Sequence, residues 1–315
     1  MIAGVDTIQS QTNSQTFALA GQEVALPDQV CHFQVGNFDC LIISDSDEPG
    51  RLEIDAGFAN MDLSLVRQWL QTNGKPTDHF HIDWNCLFVN TGRHRVVIDT
   101  GIGDMDPTMG RFVARLKRAG VDPDSVDVVV LSHGDADRIG GTIDPEGKLT
   151  FSKARHVMCH REWAFWASGK IRLPAKAEQD EETRRFMRAW RKTRFSKFEH
   201  RLSMVANGAE IVPGIIATTA AGHTPGHMVL KIESARERFW YGADLVHHPM
   251  QVENPGWCSV FDYDPERTEA TRIRILSEAA EANVPLQFVH MPFPGVGRVV
   301  NRDGGLVWVT ESRCH

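Results

Sequence analysis

Residues 131–141 read LSHGDADRIGG, and the chain enters them from the apolar run VDVVVLS of residues 126–132. That run has no polar alternation, so it predicts a strand covered on both faces, as in a layered α/β fold. It delivers the chain into a glycine-bounded loop in which His133, Asp135, Asp137 and Arg138 follow closely. Imidazoles and carboxylates placed just past a buried strand are donors from which a metal site can be built.

Upstream, FQVGNFDCLIISD begins a hairpin-rich half with strands expected near 31–44, 52–57, 85–90 and 94–99, the last two joined by the turn NTGRHR. DPTMGRFVARLKRAG then reads as a helix with Asp106 as its cap and Gly120 just past its end. Downstream, Arg161 to Ser203 reads as wholly helical, with Trp163, Phe165, Trp166, Phe186, Trp190 and Phe195 among charges. Strands resume at AEIVPGIIATTA, HMVLKIES and RFWYGAD, followed by a helix from about Pro265 to Ala282, then LQFVH and two terminal strands. The halves are similar in kind. The expectation is an α/β protein, an αββα sandwich with sheets inside and helices outside. It forms one domain over 30–315, with an extended polar arm over 1–29 and a helical lid insertion at about 161–203.

Four pieces carrying metal-competent groups sit at expected strand ends: His133, Asp135 and Asp137; His223 in AAGHTPGH; Asp244 in WYGADLVHH; and His290 in FVHMPFPG. One histidine beyond a strand is more often structural than ligating, but here the four coincide. Glycines crowd the same loops, Gly134, Gly140, Gly141, Gly222, Gly226 and Gly242, and permit the close backbone approach a compact ion site needs.

These residues, together with VVIDTG around Asp99 and the segments GHTPGH and GAD, resemble the metallo-β-lactamase superfamily of metal-dependent hydrolases from about Phe33 onward. HMPFPGVG and the polar arm are most similar to its methyl parathion hydrolase and lactonase group. The family loop reads His-x-His-x-Asp-His, whereas this chain has His133, Asp135, Asp137 and Arg138 at those four positions. The resemblance implies a first ion at His133, Asp135, His223 and Asp244. It implies a second at Asp137, the residue at 138, the bridging Asp244 and His290. A carboxylate at 135 keeps a ligand while hardening the site. Arginine has no lone pair to donate, so position 138 cannot coordinate.

One tightly held zinc is therefore expected, with a second ion disfavoured by repulsion from the guanidinium. One ion suffices for hydrolysis, since it acidifies a bound water and polarises the centre under attack. Asp137 would then orient or deprotonate that water, and Arg138 would stabilise developing oxyanion charge. The expected substrate is a small lactone, ester, phosphotriester or activated aromatic compound. The His-x-Asp-x-Asp loop is also similar to that of flavodiiron proteins, which keeps iron or manganese as alternatives and an iron-dependent oxidoreductase as a rival reading. A non-catalytic, regulatory homologue with a decayed second site is the other rival.

His79, His81 and Asp83 in HFHIDWN read as a polar rim, or as the start of a separate metal site. His227 is expected to support a ligand, His247 and His248 to lie at a pocket rim or subunit interface, and Asp99 to be buried behind the loop. The aromatic residues of the insertion would line a lid favouring apolar or aromatic substrates.

With 315 residues, 42% hydrophobic, 24% charged and a formal charge of −7, the chain suits a globular protein and argues against nucleic acid as partner. The basic run from Arg184 to Arg201 reads as a solvated helix face. The N-terminus lacks the pattern of a signal peptide, and no stretch is apolar enough to span a bilayer. Six cysteines without C-x-x-C pairs read as reduced thiols in a cytoplasm. The resemblance to the methyl parathion hydrolase group implies a homodimer through the N-terminal arm.

Overall fold

A computed structural model of the chain describes residues 29–58, 61–168 and 181–314. The arm expected over 1–29, and the dimer contact assigned to it, lie outside the described residues except for Gln29.

Strands β1 (Val30–Val35) and β2 (Phe38–Ser44) form the first hairpin. A small ribbon of β3 (Gly50–Glu53) and β4 (His79–Ile82) stands apart from the main sheets. It encloses helices α1 (Ile54–Gly57) and α2 (Leu63–Thr72). The strand expected over 52–57 ends at Glu53, because a helical turn drops Ile54 into an apolar cluster with Phe58, Val66, Leu70 and Phe80. Strands β5 (Asn85–Asn90), β6 (Arg95–Ile98), β7 (Val128–Val130), β8 (Arg155–Cys159) and β9 (Leu202–Val205) complete a seven-stranded sheet ordered β1-β2-β5-β6-β7-β8-β9. From β6 onward its pairs are parallel, so the loops leaving β6 and β7 emerge at the same edge.

The second sheet is sequential: β10 (Glu210–Val212), β11 (Ile215–Thr219), β12 (Met228–Ser234), β13 (Glu237–Tyr241), β14 (Leu286–Gln287), β15 (Val296–Arg302) and β16 (Gly305–Thr310). LQFVH thus contributes only Leu286 and Gln287 to a strand. Side chains of both sheets, among them Phe33, Leu87, Val130, Ile215, Leu230 and Phe239, meet in one buried layer. Helices α3 (Phe112–Arg118), α5 (His160–Ala167) and α6 (Glu181–Phe198) cover the outer face of the first sheet. Helix α7 (Pro265–Ala282) covers the second. The expected αββα sandwich is present.

Several local expectations change. Asp106 does not cap α3, because its carboxylate holds Thr108 in a separate turn. The free N–H of Phe112 is taken instead by Asp45, brought in from the end of β2. Gly120 does sit beyond α3 in the left-handed region, at φ +85°. The insertion is not one helix to Ser203, since Leu202 and Ser203 already pair with β8, and residues 169–180 lie outside the described residues.

The basic run is not a plain solvated face either. Arg191 and Arg194 on α6 are buried, the first lying over the Trp166 ring at 4.6 Å. Cys40, Cys86, Cys159 and Cys258 are free and buried as expected, but Cys31 and Cys314 form a disulfide with Cα atoms 4.9 Å apart. Their separation of 283 residues leaves no local spacing to read, and the case for a cytoplasm from reduced thiols loses its ground. Among the described residues no helix is long and apolar enough to cross a membrane.

Candidate metal centre

The loop after β7 folds into a single helical turn, α4 (Ala136–Ile139), that aims successive side chains at one cleft between the sheets. His223 arrives from the β11–β12 loop and His290 from the segment after β14. Asp244 follows Ala243, a non-glycine residue at φ +45°, a sparsely populated conformation of the kind found at functional sites.

Four donors converge. His133 Nε2 lies 3.7 Å from Asp135 Oδ2 and 3.4 Å from Asp244 Oδ2, and His223 Nε2 lies 3.4 Å from both. Ligands about 2.1 Å from a tetrahedral ion sit about 3.4 Å from one another, so these four separations are of the length a shared ion requires, and His133, His223 and Asp244 form a compact group of metal-competent donors with Asp135 beside it. Both Nε2 atoms are buried without a hydrogen-bond partner, an arrangement that costs free energy unless a cation takes the lone pairs.

The opposite ring nitrogens fix the tautomers. His223 Nδ1 donates to Asp262 Oδ1 at 2.9 Å, and the other oxygen of Asp262 accepts from Ser259 N–H. His133 Nδ1 lies 3.0 Å from Ser132 Oγ, whose hydroxyl donates to Asp99 at 2.7 Å, and Tyr241 donates to the same carboxylate. Each of these two histidines therefore turns Nε2 toward the cleft, the nitrogen that would carry the lone pair in the neutral ring. Asp99 is buried behind the loop, as expected. Burial pushes its carboxyl up, against the pull of Arg138 and His133.

Burial alone would raise Asp135, but His223, His133 and Arg191 hold it below the usual carboxylate range. Burial would likewise lower His223, yet Asp135, Asp244 and Asp262 raise it well above its ordinary value. Three carboxylates around one imidazole form a cluster that favours a cation. His227, pushed down by burial and kept neutral, accepts the Asp244 N–H at 3.1 Å through Nε2, in the supporting position expected of it.

Beside this set lies a different arrangement. Arg138 is wholly buried, and its Nη2 is hydrogen-bonded to Asp244 Oδ1. The same nitrogen lies 2.7 Å from His290 Nε2 and 3.3 Å from Asp137 Oδ2. His290 Nδ1 donates to the Asp83 carbonyl at 2.8 Å, so its Nε2 is an acceptor for the guanidinium. Burial opposes the ionised form of Asp244, but Arg138, His290 and His133 together hold it well below the normal range.

Residues that the sequence did not single out complete the centre. Glu162, buried on α5, accepts from Gly134 N–H, Trp166 Nε1, Thr224 Oγ1 and Gly226 N–H at 2.7–2.9 Å, clamping the His133 and His223 loops together. Those two glycines are obligatory, since a Cβ at Gly134 would meet Trp166 at 2.0 Å and one at Gly226 would meet Glu162 backbone at 2.2 Å. Arg191 reaches Asp135 Oδ1 at 3.4 Å and the Gly134 carbonyl at 3.2 Å. His247, expected at a rim, instead stacks on His290 at 5.0 Å inside the cleft, and burial pushes it down to about 3. His248 belongs to a neighbouring apolar pocket with His79, His81 and Phe80. Asp83 is buried under His290 and Phe293, so the trio at 79, 81 and 83 does not converge. Only Glu162, at the start of an amphipathic helix, carries a signal that could have been noticed, as a carboxylate on a helix face otherwise destined for the core.

The centre opens into a cavity of about 180 Å³. Its walls are Leu52, Ile82, Trp84 and Phe261, with Asp135, Asp137, His223, Asp244, His247 and His290 at its floor. Arg138 does not line it. Neither do the insertion's aromatic residues: Trp166 and Phe195 pack on the first sheet, and Phe186 is exposed.

The family model of the Metallo-beta-lactamase superfamily matches residues 84–285. No curated protein matches the chain. Among solved structures it is similar to AidC, a dizinc quorum-quenching lactonase, at 24% identity and a TM-score of 0.83, covering 91% of this chain and 100% of that one. It is similar to AbOPH, a hydrolase of the β-lactamase superfamily, at 22% identity and a TM-score of 0.80, covering 90% and 97%. A probable metal-dependent hydrolase from Staphylococcus aureus aligns at 18% identity and a TM-score of 0.71, covering 88% and 98%. At these identities the likeness establishes the fold.

Proposed function

The chain belongs to the metallo-β-lactamase superfamily, and from that premise we propose that it hydrolyses a small lactone or ester bearing an apolar group, using a divalent ion, zinc by preference, held by His133, Asp135, His223 and Asp244. The observation that carries the reading is the pair of buried, unpartnered Nε2 atoms facing two carboxylates at tetrahedral spacing, on the floor of an apolar-walled cavity. An ion bound there would supply Lewis acidity and a water acidified toward neutrality.

The remaining work falls to the chain. Asp262 and the Ser132–Asp99 pair hold the two imidazoles in the ligating tautomer. Asp137, on the cavity floor with its carboxylate 3.5 Å from His290 Nε2, is placed to orient a water and accept its proton. Leu52, Ile82, Trp84 and Phe261 exclude solvent and select an apolar substituent. The oxyanion role considered for Arg138 finds no geometric support, because its Nη2 faces Asp244, Asp137 and His290 behind the cavity floor.

AidC is a lactonase by name, which favours a carbonyl substrate over a phosphotriester. Two histidines with two carboxylates would also accept manganese or iron, a different ion in the same donors. The test is a turnover panel of N-acyl homoserine lactones, aryl esters and a phosphotriester, with zinc-, manganese- or iron-loaded protein and with chelated protein. Lactone or ester turnover that disappears on chelation is expected. A fully loaded protein that turns over no member would overturn the reading.

A further inference from the structure

Asp244, His247 and His290 lie close enough together to form a second group of metal-competent donors, but the position beside the proposed ion is already taken. Three groups that would have to ligate a second ion there, Asp244 Oδ1, His290 Nε2 and Asp137 Oδ2, all point at one atom, Arg138 Nη2. The His290 lone pair is already engaged, since the Asp83 carbonyl holds its proton on Nδ1. Asp244 divides its two oxygens, with Oδ1 on the guanidinium and Oδ2 3.4 Å from both His133 Nε2 and His223 Nε2.

We infer that Arg138 is the resident cation of this position: the centre binds one divalent ion, and a covalently tethered guanidinium takes the place and the charge of the second. The inference rests on the proposed metal site at His133, Asp135, His223 and Asp244. It separates this chain from AidC, which is dizinc by name.

Position and charge both support it. Arg138 and Arg272 are the largest wholly buried side chains of the described residues. The Arg138 carbonyl accepts from both the N–H and the hydroxyl of Thr100, so backbone and side chain are anchored together. Its Nε lies 3.9 Å from Asp99, which gives the guanidinium a third carboxylate neighbour. Swinging it out would leave Asp244, Asp137 and Asp99 buried against one another without their counter-charge. Keeping it there while adding a divalent ion at hydrogen-bond distance would set like charges together in a water-poor site.

The experiment counts ions. Metal-free protein is saturated with zinc, desalted and measured by inductively coupled plasma mass spectrometry, and calorimetric titration gives the stoichiometry independently. Wild type should hold one equivalent, as should Arg138→Lys, which keeps the cation. Arg138→His, which supplies an imidazole, should hold two. With cobalt, wild type should show an isolated high-spin electron paramagnetic resonance signal, and Arg138→His a signal diminished by coupling between neighbouring ions. Two equivalents in wild type would overturn the inference and leave the hydrolase reading standing. So would a single equivalent in a folded Arg138→His. Wild type binding no ion would overturn both, and the wild-type count is decisive even where the histidine variant does not fold.

Discussion

The two halves of the cleft floor use the same residue types to opposite ends. On one side His133 and His223 turn buried Nε2 atoms without hydrogen-bond partners toward Asp135 and Asp244. On the other, His290, Asp137 and Asp244 surround a centre already filled by Arg138. The difference teaches that a metal ligand is defined by what its lone pair faces. A neutral histidine and two carboxylates can offer their lone pairs to a metal ion, but they form a salt bridge with a hydrogen-bonded imidazole where they enclose a guanidinium.

The largest effect is expected from the group facing the cavity between these halves. Asp137→Asn should leave ion content unchanged while lowering kcat by about 10²–10⁴, the range for losing a positioned general base. Steady-state kinetics on metal-quantified protein checks this, and unaltered turnover would remove Asp137 from the mechanism. Arg138→Ala breaks the filled side. It should cost about 3–5 kcal/mol of metal-free stability by leaving buried carboxylates without their partner. Denaturant unfolding reads that loss, and added zinc should recover more of it in the variant than it adds to wild type.

A control outside both halves comes from His156, buried against Phe198 and pushed down to about 4 by burial. The unfolded chain takes up this proton near the ordinary value of 6.5, whereas the folded chain does so only near 4. Acidification across that window therefore favours unfolding, by up to about 3 kcal/mol, and the loss levels off below it. His156→Leu should flatten the fall in unfolding midpoint of metal-free protein between those values, and an unchanged slope would assign the acid sensitivity elsewhere. The smallest effect is expected at Asp262→Asn, which keeps shape but loosens the His223 tautomer. It should weaken ion affinity by about 10–100-fold. Competition with a chromophoric chelator measures this, and the same substitution should leave the Arg138 side undisturbed.

Much of this arrangement is legible in the sequence. The apolar period of VDVVVLS, the hairpin around NTGRHR and the helix Pro265–Ala282 each satisfy their own local rule, so the sandwich followed from adding them up. That His133, Asp135, His223 and Asp244 lie in loops just beyond strands was readable from the apolar runs before them, and the structure brings these four side chains together. What escaped were contacts between residues far apart in the chain: Asp262 on His223, Glu162 clamping two loops, Asp45 capping a helix in place of Asp106, and the Cys31–Cys314 bond. Each has the same character. A carboxylate or thiol looks alike on the surface and in the core until packing brings its partner to it.

The residues themselves determined that this chain folds as an αββα sandwich, that its loop donors can form one ion site, and that position 138 cannot ligate, because lone pairs and apolar periodicity belong to single residues and short segments. The direction in which Arg138 points was decided only by the tertiary structure. Burial beneath the cavity floor, with Asp99 behind it and Asp244, Asp137 and His290 around Nη2, sets the guanidinium among its counter-charges. A buried cation goes where its counter-charges are, and that place is formed by four segments that meet only in the folded chain.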